Sequence, residues 1–73
     1  MNEAELEILR LFRAYNVVAN QMLFVHAGFA KAESAQFSRA MQSMIRRGFV
    51  VEERRRGAYS LTPRGYEASL LTA

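Results

Sequence analysis

Gln36, Ser38, Arg39, Gln42, Ser43 and Arg46 fall within one short stretch of the chain, and Arg54-Arg55-Arg56 follow shortly after it. Amides, hydroxyls and guanidinium groups are the side chains that read base edges. Arginine pairs bidentately with guanine and glutamine with adenine, each contact giving roughly 1–3 kcal/mol of discrimination. Three consecutive arginines act differently, through phosphates or a narrow minor groove, and carry little direct base information. Residues 31–64 hold eight basic side chains against three acidic ones, in a chain whose net charge is +3. Positive charge concentrated in this way attracts polyanions and speeds their encounter. An ordinary solvated helix face would carry the same residue types. A polar helix face followed by a basic turn nevertheless suits a duplex nucleic acid better than a small-molecule pocket.

Catalytic chemistry has little to work with. The chain has no aspartate and no cysteine, its single histidine, His26, has no evident acid partner, and no glycine-rich phosphate loop is present. Glu52 and Glu53 adjoin, but side chains alternate along a strand, so the two carboxylates point to opposite faces. No enzyme activity, catalytic residue, metal site or cofactor is therefore expected, and His26 reads as a half-buried helix residue.

Seventy-three residues make one domain, spanning 1–73. A chain of this size buries only roughly 60% of its extended surface, so self-association would help its stability. The absence of cysteine fits a reducing compartment. No run reaches the ~18 apolar residues of a membrane span, and the glutamate-rich start is unlike a signal peptide. A cytoplasmic protein with no membrane contact is expected.

The elements that would position the polar groups follow from periodicity and punctuation. Asn2 caps a first helix, with Glu3, Glu5 and Glu7 in its early turns where the helix dipole favours anions. Leu6, Ile8, Leu9, Leu11, Phe12 and Tyr15 form an apolar set wider than one core-facing stripe requires, and the surplus is expected to meet a second copy of the chain. Asn16 stops this helix, and Val17-Val18 form a brief extended segment. Asn20 is read as the cap of a short second helix, Gln21 to Ala27, stopped by Gly28.

Ser34 caps a third helix running to about Arg47, with Gly48 beyond its end. At ~100° per residue, Phe37, Ala40, Met41 and Met44 fall on one side. Arg39, Gln42 and Arg46 centre the other, with Ser38 among them and Gln36 and Ser43 on its flank. Phe49-Val50-Val51 and Tyr59-Ser60-Leu61 predict two strands, with Phe49 and Val51 on one face. Arg54-Arg55-Arg56-Gly57 is the connecting loop, with Gly57 free to take a positive φ. Thr62-Pro63 opens a last helix whose apolar side is Tyr66, Leu70 and Leu71. The fold class is α+β, mostly α, with three helices, a two-stranded hairpin and a short C-terminal helix.

In this order, SRAMQSMIRRGFVVEE (38–53) resembles the recognition helix and following strand of winged helix-turn-helix regulators. GAYSLTPRGYEASL (57–70) is similar to the second wing strand and the LT-x-x-G helix start of MarR-like and PadR-like repressors. The resemblance implies a winged helix-turn-helix, with helix 34–47 in the major groove and the 54–57 wing on the backbone or minor groove. It implies a small sequence-specific double-stranded DNA-binding protein, a transcriptional regulator, with Gln36, Ser38, Arg39, Gln42 and Ser43 on bases or nearby phosphates; Arg46, in the last turn where the helix dipole alone would favour it, is a candidate phosphate contact. Arg54, Arg55 and Arg56 would be wing contacts. A homodimer through the first or last helix is expected, and no small-molecule effector is evident. The rival expectation is a winged helix used for protein contact, as an adaptor or small subunit that does not bind DNA.

Overall fold

Asn2 and Glu5 close the first helix at its N-terminus by exchanging hydrogen bonds. The Glu5 N–H donates to Asn2 Oδ1 and the Asn2 N–H to Glu5 Oε1, each at 2.9 Å. In the computed structural model, which describes residues 1–25 and 35–72, this capping box starts helix α1 (Glu3–Ala14). Its buried side is Glu5, Ile8, Leu9 and Phe12. Asn16 ends it in the left-handed region at φ 55°, and Val17 turns back into the core with its N–H on the Phe12 carbonyl.

The chain then departs from the expected second helix. Asn20 is not a helix cap; it takes φ 69° in a turn closed by the Gln21 N–H on the Val18 carbonyl. The following residues form strand β1 (Met22–Phe24), and the expected helix residues 26 and 27, with Gly28, lie outside the described residues. The extended segment is thus at 22–24 and not at Val17-Val18. A run of four apolar residues fits either state by pattern alone. Hydrogen bonds decide it: Asn20 N–H to Leu61 O (2.7 Å), Leu61 N–H to Gln21 O (3.0 Å) and Val25 N–H to Gly57 O (2.7 Å).

Helix α2 (Ala35–Arg46) packs against α1 through Ala40, Met41 and Met44, with Phe37 and Ile45 half-buried. The Ser34 cap lies outside the described residues. The helix ends in a Schellman arrangement: Phe49 N–H donates to Met44 O, Gly48 N–H to Ile45 O, and Gly48 sits at φ 81°. Because Phe49 belongs to this cap, the next strand starts one residue later than expected. Strand β2 (Val50–Glu52) therefore turns Val50 into the core and leaves Val51 48% exposed, while Phe49 stays buried in the cap, so Phe49 and Val51 do not share a face.

Strand β3 (Ala58–Leu61) is the centre of a three-stranded antiparallel sheet in the order β1-β3-β2, where two strands were expected. Leu61 pairs with Val50 and Tyr59 with both Leu23 and Glu52. Between β2 and β3, Arg54 to Gly57 form the loop, with Gly57 at φ 83°. Helix α3 (Pro63–Leu70) opens on Thr62, whose Oγ1 accepts from the Gly65 N–H at 2.9 Å. Its buried side is Gly65 and Ser69, not the expected Tyr66, Leu70 and Leu71. Tyr66 is half-buried and both leucines are exposed. Gly65 lets the helix backbone approach Phe49 and Leu61 closely, and Tyr66 packs against the edge of the core. Ile8, Leu9, Phe12, Met41, Met44, Val50 and Leu61 form the centre of the single core.

Candidate nucleic-acid interface

Along α2 the polar residues divide into an outward row and a seam. Gln36, Ser38, Arg39, Gln42 and Arg46 are exposed, opposite the methionines that face α1. Ser43 is different: half-buried, its Oγ donates to Glu5 Oε2 at 2.8 Å. The structure thus sets Ser43 at the α1–α2 junction and separates it from the outward row. From Gln36 to Arg46 that row runs roughly 15 Å along the helix.

The junction is held by Glu5, only 4% exposed. Its carboxylate also receives Arg47 Nη1 at 3.1 Å. Hydrogen bonding from the Asn2 N–H, helped by Ser43 and Arg47, holds the carboxyl below its usual range against the opposing effect of burial. Arg47 and Arg64 both lie over the Phe49 ring, at 5.2 and 4.8 Å from its centroid. These contacts fix the end of α2 to α1 and to the start of α3. Sequence reasoning did not find the Glu5–Ser43–Arg47 network. The Asn2-x-x-Glu5 spacing was its signal, since it draws Glu5 into the cap and hence toward the neighbouring helix.

Arg54, Arg55 and Arg56 are all exposed at the hairpin tip. The hairpin leaves directly from the C-terminal end of α2, so the tip stands roughly 15 Å from Phe49 at ~3.3 Å per residue. Glu53 folds back onto the sheet, its Oε2 accepting from Ser60 Oγ at 2.6 Å. Glu52 lies opposite Tyr59 across the ladder and, with burial, raises the Tyr59 pKa, burial being the larger cause.

Charge pairing is uneven. Glu3 and Glu7 both bind Arg10, and Glu5 binds Arg47. Among the described residues, Arg39, Arg46, Arg54, Arg55 and Arg56 have no carboxylate within ion-pair distance. The acidic side chains of α1 are therefore internally compensated, whereas the arginines of α2's outer row and the hairpin are open to an external anion.

Among the described residues, no group of three His, Asp or Glu side chains is placed to hold a metal ion, and no helix is long and apolar enough to cross a membrane. His26 lies outside the described residues. A cleft of about 260 Å³ opens between the end of α1 and α3, lined by Arg13, Asn16, Val17, Val18, Tyr66, Ser69 and Leu70. Compared with known proteins, the chain matches no family model, no curated protein and no solved structure.

Proposed function

We propose that this chain is a small cytoplasmic winged helix-turn-helix protein that binds double-stranded DNA sequence-specifically and acts as a transcriptional regulator. In this reading α2 enters the major groove with Gln36, Ser38, Arg39, Gln42 and Arg46 toward bases and phosphates. A groove about 12 Å wide admits one α-helix. The loop at Arg54–Arg56 lies along the backbone or in the minor groove. The order α1-β1-α2-β2-β3-α3, with β1 added to the edge of the hairpin, supports the winged arrangement. The observation that carries the reading is the set of uncompensated arginines on two adjoining elements, one of which also presents amides.

A second reading has its own observation. Met22, Phe24 and Val51 are 48%, 43% and 48% exposed. They lie on the sheet face opposite the core, around the Ser60–Glu53 hydrogen bond. An apolar outer face of this kind fits a protein-contact module. Selection of bound duplexes from a random pool, repeated at several salt concentrations, separates the two. A DNA reader enriches a defined site and loses affinity steeply with salt, with a log–log slope of about −0.9 per phosphate contact. Failure to enrich any site, together with a flat salt response, would overturn the DNA reading in favour of protein contact.

A further inference from the structure

Arg64 is placed against its local electrostatics. It is the second residue of α3, after the Thr62 cap and Pro63, and a cation in the first turn of a helix is opposed by the helix dipole. Glu67, three residues on, stands at a spacing that could pair with it, yet the two form no ion pair. The guanidinium instead lies 4.8 Å from the centroid of the Phe49 ring. Arg47 lies over the same ring at 5.2 Å, so two like charges gather around one side chain where α2 ends and α3 begins. Arg46, also exposed, adjoins Arg47 in the chain. Among the described residues Glu5 is the one carboxylate that reaches this cluster, and it already holds the Asn2 N–H, Ser43 and Arg47.

Stacking on the ring offsets part of the repulsion and fixes the plane of each guanidinium, but it leaves the edge N–H groups unused. Only Nη1 of Arg47 is engaged by Glu5, and Arg64 has no carboxylate partner among the described residues. Both side chains remain exposed. A like-charge cluster that folding leaves uncompensated is the kind of local conflict found at functional sites. Fork-shaped donors in fixed planes suit an oxyanion held by two hydrogen bonds. We infer that Arg64, stacked with Arg47 on Phe49, is a phosphate-binding residue that brings α3 to the duplex backbone beside the last turn of α2. The inference rests on the DNA-binding reading and adds to it an element, α3, outside both the polar helix row and the hairpin tip. Phe49 is a positioning residue here, acting through the two arginines, since its own ring is buried.

The test uses the full chain and the duplex it prefers, with affinity measured over a range of salt. Arg64→Gln should weaken binding roughly tenfold and reduce the log–log salt slope by about 0.9, the value for one phosphate. Arg64→Lys keeps the charge but lacks the planar stack, so the slope should hold while affinity falls to an intermediate value. A second readout locates the contact, with neutral methylphosphonates placed singly along both strands. The unmodified chain should lose affinity at a position to which Arg64→Gln is indifferent. A chain with Arg54, Arg55 and Arg56 all replaced by glutamine should stay sensitive there. A purely structural Arg64 would lower the thermal midpoint on replacement and leave the slope and the set of sensitive phosphates unchanged. That result overturns the inference while the DNA reading stands. An unmodified chain that binds no duplex at any salt overturns that reading itself, and this contact with it.

Discussion

Gly65 and Phe49 meet backbone to backbone. A Cβ built on Gly65 would collide with the Phe49 carbonyl oxygen and stand 2.8 Å from Leu61 Cδ1. The same carbonyl accepts the Thr62 N–H at 3.1 Å, so it is pinned where it stands. Glycine to alanine inside a helix ordinarily gains up to about 1 kcal/mol. Here the methyl meets backbone that no rotamer change can move, and overpacking of this kind costs typically ~1–3 kcal/mol. Gly65→Ala is therefore expected to destabilise the fold, lowering the thermal midpoint by roughly 4–8 °C for each kcal/mol of net loss. A midpoint that rises, as propensity alone dictates, would mean that α3 does not sit this close to the start of β2.

Glu5 gives the fold a defined acid sensitivity. Its carboxyl titrates below the usual value, first because of the Asn2 N–H, then Ser43 and Arg47. A depressed folded pKa means that the unfolded chain binds the proton more readily. The stabilisation is therefore complete above the ordinary carboxyl pKa and is lost as pH falls through the lower, folded value. Glu5→Gln keeps a residue able to complete the capping box but removes the charge. In urea titrations at neutral pH the variant should be less stable by about 1–2 kcal/mol, the loss of charged hydrogen bonds. That gap should narrow as pH falls through the depressed pKa of the folded carboxyl, the unmodified chain then being protonated as well. A gap that stays constant with pH would remove Glu5 as a source of acid lability.

What was legible in the sequence was local chemistry. Asn2 at a helix start, Gly48 at a helix end, Gly57 in a tight loop and Thr62-Pro63 at the last cap each satisfy needs set within a few residues. Gln36, Ser38, Arg39, Gln42 and Arg46 face solvent where helical periodicity places them. What was not legible depends on partners far along the chain. Met22-Leu23-Phe24 is a strand because β3 supplies its hydrogen bonds, and nothing within those three residues states that. Val50 took the place of Val51 in the core because Phe49, buried in the helix cap, is not part of the strand's alternation, whereas Leu61 faces the core as expected. Ser43 left the outer row because Glu5, buried by its own cap, reaches across the helix junction to it.

Arg39 and Arg46 are both exposed on α2, but under the DNA-binding proposal they are not equivalent. Arg39 lies in the middle of the outward row, beside Ser38 and three residues before Gln42, where a helix in the groove meets base edges. Arg39→Ala should cost roughly 1–3 kcal/mol on the preferred site and relax the choice of base at one position. Arg46, in the last turn, should act on phosphate, so Arg46→Ala should weaken all duplexes alike. Binding measured on the selected site and on single-base variants of it checks the difference. Equal losses across all sequences for Arg39→Ala would move that residue from the bases to the backbone.

The hairpin tip offers the cleanest separation of charge from sequence reading. Arg54, Arg55 and Arg56 are exposed, and among the described residues none is engaged by a carboxylate. Replacing all three with glutamine leaves Gly57, and hence the loop's positive φ, in place, so the fold should be unaffected. If each arginine neutralises one phosphate, the log–log salt slope should fall by up to about 2.7. Affinity should drop most at low salt, where the released counterions count most. The preferred sequence should stay the same, because phosphate contacts carry no direct base information. An unchanged slope would take the tip out of the interface. A changed sequence preference would instead place one of these guanidinium groups in a minor groove, reading its width.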